Sequence, residues 1–346
     1  MKIEYEFRVN EKHAQRLVGG AGIKLGTGVR KVVFSLDDPR LQDLENAVRT
    51  RRREGDLLVY SWNVKRRYTH GELDQAQANT IFVNSAFEPC GEECGTVYDE
   101  SRVCPLCGAG RIQTSELILD LRKAPKGKDI ARTIADEVII SQRFAELLRD
   151  VGARGCAMRP VRHRFHFAGH DMDYRNVHTG RKMIAIFEEQ NPGQSYIDGQ
   201  FAVWLNREEN RALREQAEQE IAIYQEKLSS CFDTKIPKWH QLVVTSPPVP
   251  IGRLTKFGKN PFDPDDAGEY RCPRGHVAGL NILSEVHARR EDLNHDVMQS
   301  KELVGRRSGV LVPAPILMFS TALSRTIRDR KLKGFTFEAV RADGYS

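Results

Sequence analysis

The sequence predicts an α/β (α+β) protein made of two related halves, with a cysteine-rich insertion in the first half. Three observations support this prediction. Short apolar runs alternate with amphipathic helical segments along the chain. One strand–helix–strand segment recurs near the C-terminus with matching residues. Four of the seven cysteines fall between residues 90 and 107.

Residues 1–85 are predicted to form an N-terminal α/β segment. Alternating polar and apolar residues predict strands at residues 2–9, 31–35, 57–64 and 80–85. A helix is predicted over residues 39–53, because Leu41, Leu44 and Val48 follow helical spacing.

The rest of the chain divides at changes of pattern. The cysteine-rich insertion occupies residues 86–115, and residues 116–200 hold the first repeated segment. A long polar helix is predicted at residues 206–230, inside a segment at 201–235 that we expect to brace the two halves. Residues 236–346 form the second, degenerate α/β repeat.

The repeat indicates an internal duplication. An offset of 179 residues aligns Ser141 with Ser320 and Gly155 with Gly334. Each copy predicts an apolar strand, a serine that caps an amphipathic helix, a glycine turn and a return strand. Residues 81–85 also resemble residues 242–246. The alternative is that two unrelated α/β units share a generic pattern.

Cys90, Cys94, Cys104 and Cys107 have the spacing of two metal-binding turns. Zinc binds cysteine thiolates tetrahedrally, and two short cysteine pairs can supply all four ligands. Pro105 stiffens the second turn, and Gly108 permits close approach of the backbone to the sulfurs. We therefore expect a zinc ribbon at residues 86–115 that holds one structural Zn²⁺ per chain.

Other uses of these cysteines are less favoured. A catalytic zinc site usually keeps three protein ligands and an open position, whereas four cysteines are available here. A redox-active thiol pair is disfavoured because a second pair lies so close in the sequence. Four cysteines also suit an iron–sulfur cluster, so ligand type alone leaves the metal open.

The second copy carries a related turn at residues 272–276. Cys272 aligns with Cys104, while Gly275 replaces the second cysteine of the pair and His276 follows it. His276 has a side chain that can bind a metal, but no second ligand pair is evident nearby in the sequence. The favoured interpretation is a turn that lost its metal and kept its shape.

Composition indicates a globular protein of a reducing, cytoplasmic compartment. Seven cysteines without a secretion signal argue against a disulfide framework, and no apolar run approaches the ~20 residues that span a bilayer. The net charge of +6 is mild. Basic clusters at residues 49–53 and 65–67 would favour nucleic-acid binding if both lay on one face.

A hydrolase site is a further alternative, at the His- and Asp-rich residues 162–178. Side chains of this kind can hold a catalytic metal. The stretch contains His163, His166, His170, Asp171, Asp173 and His178. Alternation around Phe165 fits an ordinary strand better, and no catalytic residue is assigned. The chain is therefore more simply a non-enzyme.

Two features together resemble a known group, the bacterial double-CxxCG immunity proteins. These features are the Cys-x2-Cys-Gly turn at residues 104–108 and the strand–helix–Gly–strand segments at 138–162 and 317–341. The resemblance implies a non-catalytic protein that binds and neutralises a partner toxin. Trp62, Trp204 and Trp239 are candidate anchors for such a partner, although core positions are favoured for all three. Zinc-ribbon nucleic-acid binding is the second hypothesis.

Overall fold

The computed structural model mixes helices with strands, which confirms the α+β class. It describes residues 1–18, 21–55, 57–165, 174–196, 199–232, 237–268, 271–276, 280–305 and 313–343.

The N-terminal unit has the order β–α–β–β–α–β. Its elements are β1 (Lys2–Asn10), α1 (Glu11–Val18), β2 (Ile23–Lys24), β3 (Val29–Ser35), α2 (Arg40–Arg53) and β4 (Val59–Arg67). The strands form one antiparallel sheet in the order β2-β3-β1-β4. Phe7, Phe34 and Leu44 are buried together, so both the sheet and α2 contribute to one core. Helices α1 and α2 both pack on this face of the sheet.

The first half continues with short elements around the cysteines and then the repeated segment. Its elements are α3 (His70–Gln75), β5 (Ala78–Val83), β6 (Ala86–Phe87), α4 (Gly91–Cys94), β7 (Tyr98–Asp99), β8 (Ile112–Gln113), β9 (Ile118–Leu119), β10 (Ile130–Thr133), β11 (Val138–Ser141), α5 (Gln142–Asp150), β12 (Cys156–Pro160) and β13 (Arg162–His163).

A helical segment separates the halves, and the second half follows it. The helices are α6 (His178–Gln190), α7 (Gln200–Leu205) and α8 (Arg211–Phe232), with a 3-10 turn at Glu208–Asn210. The second half contains β14 (Trp239–Val244), β15 (Phe257–Asn260), β16 (Asp263–Pro264), β17 (Asn281–Ile282), β18 (Val286–Ala288), a 3-10 turn at Arg290–Asp292, β19 (Val297–Val304), β20 (Ala314–Ser320), α9 (Thr321–Asp329) and β21 (Phe335–Ala342).

The two halves exchange strands. The five-stranded sheets have the orders β12-β14-β11-β10-β6 and β18-β21-β5-β20-β19. Strand β14 comes from the second half yet lies between β11 and β12, and β5 comes from the first half yet lies between β20 and β21. Four strands of the first sheet correspond in order to four strands of the second: β12 to β21, β14 to β5, β11 to β20 and β10 to β19. Within each sheet, neighbours among these four strands pair antiparallel.

The two predicted serine caps are confirmed. Ser141 Oγ accepts a hydrogen bond from the Phe144 N–H, and Ser320 Oγ accepts one from the Leu323 N–H. Each serine thus satisfies one backbone donor in the first turn of its helix. Helices α5 and α9 both have nine residues, and both bury an aromatic or leucine side chain at the third position.

Two aspartates connect the halves reciprocally. Asp129, before β10, accepts hydrogen bonds from Ser141 Oγ at 3.0 Å and from the backbone N–H of Lys333 at 2.8 Å. Asp296, before β19, accepts bonds from Ser320 Oγ at 3.0 Å and from the backbone N–H of Arg154 at 2.9 Å. Each aspartate therefore bonds the cap of its own half and the turn of the other half.

One hydrophobic core lies under both sheets. Phe144 of α5 and Phe319 of β20 meet edge to face with ring centroids 6.2 Å apart, and neither ring is exposed. Ile81 and Leu242, from the two exchanged strands, belong to the same buried group. Because both halves supply this core, burial of apolar surface couples their folding.

The helical segment has a core of its own. Phe187, Phe201 and Trp204 are buried against one another. The polar helix predicted at residues 206–230 is α8, which begins and ends slightly later. Its contacts include α6 and a hydrogen bond from Arg164 to Gln225 at 2.6 Å. Its bracing role stays a prediction.

A buried ion pair attaches the N-terminal unit to the second sheet. The Arg66 side chain on β4 is 2% exposed and donates to Glu338 on β21 at 2.8 Å. Burial raises the pKa of Glu338, which Arg66 opposes. Phe262, in the turn between β15 and β16, stacks on Phe7 at 5.6 Å between ring centroids. Both contacts lie on the helix-covered side of the N-terminal sheet.

Substituting the two matched turn glycines should destabilise the protein. Gly155 and Gly334 have φ values of +87° and +116°, and a Cβ at either position would overlap a backbone carbonyl oxygen of the opposite half. Gly152 also has positive φ, +61°, but a Cβ there meets nothing within 4 Å. In urea unfolding we expect Gly334→Ala to cost about 3 kcal/mol or more and Gly152→Ala about 1 kcal/mol. Equal losses would contradict the close approach.

Candidate metal centre

The turn at residues 104–107 is shaped by backbone hydrogen bonds. The Cys104 N–H donates to the Ala109 carbonyl at 2.7 Å, and the Gly108 N–H donates to the Cys104 carbonyl at 2.8 Å. Gly108 has φ of +76°, a value that glycine adopts without the strain of a side chain. The turn lies in the connection between β7 and β8, and it presents two sulfurs to one side.

The second turn, at residues 272–276, closes in a related way. The Gly275 N–H donates to the Cys272 carbonyl at 2.9 Å, and the Cys272 N–H donates to the His276 carbonyl at 3.0 Å. Gly275 has φ of +85°. This turn therefore also brings its two terminal side chains together.

The two turns meet and form one four-residue cluster. Ligand atoms of Cys104, Cys107, Cys272 and His276 all lie within 4.8 Å of one another. The Cys104 and Cys272 sulfurs are 3.8 Å apart, and His276 Nδ1 is 3.5 Å from the Cys107 sulfur and 3.9 Å from the Cys272 sulfur. This arrangement can hold a metal ion.

Burial and backbone dipoles shape the electrostatics of the cluster. The three cysteines are at most 9% exposed. Burial raises the pKa of the Cys104 thiol, but the N–H groups of Cys107 and Leu106 point at its sulfur, and the net effect lowers that pKa to about 6. Burial and the neighbouring thiols raise the pKa of Cys107 to about 11. The cluster thus favours a negative sulfur at Cys104, as a cation site requires.

The structure brings together a different set from the four cysteines predicted as zinc ligands. Cys104 and Cys107 belong to the cluster, whereas Cys90 and Cys94 lie outside it and Cys272 and His276 complete it. The predicted ribbon of residues 86–115 therefore supplies two of the four ligand side chains. The 272–276 turn was expected to have lost its metal, yet it places its two terminal side chains in the cluster.

Cys90 and Cys94 belong to a short helix, and this explains the difference. Cys90 precedes α4 and Cys94 ends it, so the two sulfurs are separated by one helical turn. The Gly91 N–H donates to Glu137 at 3.1 Å and holds this turn against the first sheet. Burial raises the pKa of both thiols to about 12, so both remain protonated. They pack as small buried side chains.

The alignment of residues 104–108 with residues 272–276 was the sequence signal for the four side chains that the structure brings together. It showed a cysteine in register with Cys104 and a histidine just after the place of the second cysteine. A pair of potential ligands in each aligned turn is compatible with one cluster formed by both turns. Proximity along the sequence favoured Cys90 and Cys94 instead.

The His- and Asp-rich stretch is described in part. His163 is 8% exposed, and its Nδ1 lies 3.2 Å from the Leu121 backbone nitrogen. It packs beside Phe165, and His178 begins α6. His166, His170, Asp171 and Asp173 lie outside the described residues. The described histidines are thus placed on separate elements.

The two basic clusters do not share one face of the N-terminal unit. Arg49 pairs with Glu45 on α2, and Arg51 pairs with Glu54. Lys65 faces the open side of the sheet instead. Nucleic-acid binding was favoured only if both basic clusters lay on one face, and the structure does not place them so.

The three tryptophans are core residues to different degrees. Trp204 is 2% exposed and Trp239 is 6% exposed, while Trp62 is half-buried against the N-terminal core. Neither Trp204 nor Trp239 offers a ring to a partner. The structure therefore places Trp204 and Trp239 in the core, as the sequence analysis favoured, and Trp62 at its edge.

Comparisons with known proteins found no matching family model, curated protein or solved structure. Among the described helices, none combines the length and the apolar character needed to cross a membrane.

Substitutions should distinguish the two ligand sets. We expect Cys272→Ala and His276→Ala to weaken Co²⁺ binding at least tenfold and to reduce the thiolate-to-cobalt absorption, because each removes one ligand. Cys90→Ala and Cys94→Ala are the matched controls and should leave the spectrum unchanged. Loss of the spectrum in the controls, with Cys272→Ala unaffected, would restore the four-cysteine set.

Proposed function

We propose that this chain is a non-catalytic zinc protein that binds a partner protein, with the metal joining its two halves. The observation that carries the proposal is a four-ligand site whose paired turns are 168 positions apart in the sequence, from Cys104 to Cys272. Structural zinc sites characteristically use four protein ligands and leave no open position.

The distances within the cluster support zinc. With Zn–S bonds of about 2.3 Å and Zn–N bonds of about 2.0–2.1 Å, tetrahedral geometry sets sulfurs about 3.8 Å apart and nitrogen about 3.5 Å from sulfur. The Cys104 and Cys272 sulfurs are 3.8 Å apart, and His276 Nδ1 lies 3.5 Å from the Cys107 sulfur and 3.9 Å from the Cys272 sulfur. Three cysteines and one histidine are among the usual ligand sets of structural zinc.

The position of the site supports a structural role. The turn at residues 272–276 lies between β16 and β17 in the second half, and the turn at residues 104–107 belongs to the first half. A metal bound by both turns closes a very long loop, and its binding free energy is added to that of folding. Bound zinc would act here as a cross-link between the turns, and no catalytic residue is assigned.

We also propose that the halves arose by duplication. A duplication requires the same strand order in both copies, and four strands of each sheet satisfy this, in the orders β12-β14-β11-β10 and β21-β5-β20-β19. The fifth strands, β6 and β18, lie at opposite ends of this shared order. Ser141 and Ser320 cap equivalent helices, and Asp129 and Asp296 make equivalent bonds. The metal-binding turns then come one from each copy.

A partner protein is proposed from the resemblance to bacterial double-CxxCG immunity proteins. The Cys-x2-Cys-Gly turn of that resemblance contributes two ligand side chains of the cluster, Cys104 and Cys107. The proposed partner is a toxin that this chain neutralises in the cytoplasm.

Metal removal tests the structural role. When free zinc is about 1,000 times its Kd, we expect the free energy of unfolding to rise by about 4 kcal/mol over the chelated protein. In His276→Ala this dependence on zinc should shrink strongly, because one ligand is missing. The measurement is urea unfolding with and without chelator. If the wild-type protein has the same free energy of unfolding with and without zinc, the structural role is refuted.

Partner binding is tested separately. We expect the purified chain to form a stable complex with the product of a neighbouring toxin-like gene, seen as a single peak in size-exclusion chromatography, and to protect cells that express this product. A catalytically inactive toxin variant allows the mixing experiment. If no adjacent gene product forms a complex with the chain or is neutralised by it, the immunity role is refuted. The proposed zinc site would be unaffected by that result.

A further inference from the structure

The metal-binding turn at residues 272–276 belongs to a small three-stranded sheet. Its strands have the order β16-β15-β17, and the turn lies in the connection from β16 to β17. Strand β15 pairs antiparallel with both neighbours. We name this stretch the small sheet, and its described residues are 257–268, 271–276 and 280–282. The turn and the strands are thus parts of one short segment of the second half.

The small sheet has little apolar core of its own. Among its described residues, the buried apolar side chains are Phe257, Cys272 and Leu280, and Cys272 belongs to the metal cluster. Phe257 and Leu280 pack against partly buried side chains that include Ile251 and Val304. Ordering each residue costs conformational entropy, and units this small usually need a bound metal or a disulfide to stay folded. A metal at the cluster would supply that stabilisation.

A buried carboxylate joins the metal-binding turn to the hairpin of β15 and β16. The Asp265 side chain has 0% exposure and accepts a hydrogen bond from Arg271 Nε at 2.9 Å. The Asp265 N–H donates to the Phe257 carbonyl at 2.8 Å. Arg271 directly precedes Cys272 in the sequence. One carboxylate therefore holds the hairpin beside a ligand of the cluster.

The turn of that hairpin carries an aromatic ring into the N-terminal unit. Phe262 stacks on Phe7 with the ring planes 3° apart, and Phe7 is 1% exposed. Arg49 on α2 donates to the Phe262 carbonyl at 3.4 Å. The Phe262 N–H donates to Asn260 Oδ1 at 2.9 Å, which fixes the shape of the turn. The segment that bears the metal ligands thus also contacts the core of the N-terminal unit.

The N-terminal unit has a second attachment, which is polar. Arg66 pairs with Glu338, and the Tyr68 hydroxyl donates to Glu285 at 2.8 Å. Arg66 lies at the end of β4 and Tyr68 just after it, where the chain continues into the rest of the protein. The unit can therefore stay tethered at this end while the contact at Phe262 opens.

We propose that metal binding controls the docking of the N-terminal unit, because the metal orders the small sheet and the small sheet holds Phe262 on Phe7. This control rests on the zinc site of the proposed function and adds a regulated contact to it. With the metal bound, the hairpin is fixed and the aromatic stack is closed. Without the metal, the small sheet opens locally while the shared core of the halves stays folded, and Phe7 becomes accessible to solvent.

Hydroxyl-radical footprinting, read by mass spectrometry, tests the proposal in the full-length protein with Zn²⁺ and with a chelator. We expect chelation to raise the oxidation rates of Phe7 and Phe262 about threefold or more, because local opening exposes both rings. The rate at Phe144, in the shared core, should not change. His276→Ala should show the raised rates with and without Zn²⁺, whereas Cys90→Ala should behave like the wild type.

Three other outcomes overturn the proposal in distinct ways. If Zn²⁺ binds and chelation leaves the rates at Phe7 and Phe262 unchanged, docking is independent of the metal and the zinc site stands. If the rate at Phe144 rises to the same degree, the metal holds the whole protein and not the docking contact in particular. If no Zn²⁺ binds, the zinc site fails together with the control of docking.

The zinc affinity of a docking variant is a second, independent measurement. A metal that favours the docked state must bind that state more tightly, by the same factor. Phe262→Ala should therefore weaken Zn²⁺ binding about fivefold or more, although Phe262 is not a member of the ligand cluster. Tyr60→Ala removes a ring that is 48% exposed on the same unit and should change the affinity less than about twofold. Equal Zn²⁺ affinities of Phe262→Ala and the wild type would overturn the proposal.

Discussion

The exchange of β5 and β14 between the halves is the constraint on which the structure depends. Each strand is internal to the sheet of the other half, so its backbone groups are paired on both sides. Pulling the halves apart would expose two sheet interiors and the shared core around Phe144 and Phe319. The bonds of Asp129 and Asp296 to the opposite turns add polar contacts across the same junction. The halves therefore fold as one body.

This exchange also explains where the metal cluster stands. If the halves are equivalent, the turn at residues 104–107 and the turn at residues 272–276 are equivalent features brought into contact. A single metal bound there would take two ligands from each turn. A site built this way responds to the docking of the halves, because its geometry exists only when both turns are in place. Cys90, buried just before α4, lies outside that cluster.

Local features were predictable from the sequence, and long-range pairings were not. The serine caps, the glycine turns and the helix of Arg40–Arg53 follow from short patterns whose physical basis is local. The position of β14 between β11 and β12 depends on which distant strand buries the larger apolar surface, and no local pattern encodes that choice. The meeting of Cys104 with Cys272 was not predictable for the same reason, since these residues are 168 positions apart in the sequence.

The attachment of the N-terminal unit determines which of its surfaces is free. Arg66 points to the helix-covered side and is buried against Glu338, so the alternation of a strand turns Lys65 and Arg67 to the opposite side. Phe262 fills the same covered side by stacking on Phe7. Losing one partner of a buried ion pair typically costs about 3–5 kcal/mol, because the other charge is left buried and unpaired. Lys65 and Arg67 thus remain outward as a consequence of how the unit is anchored.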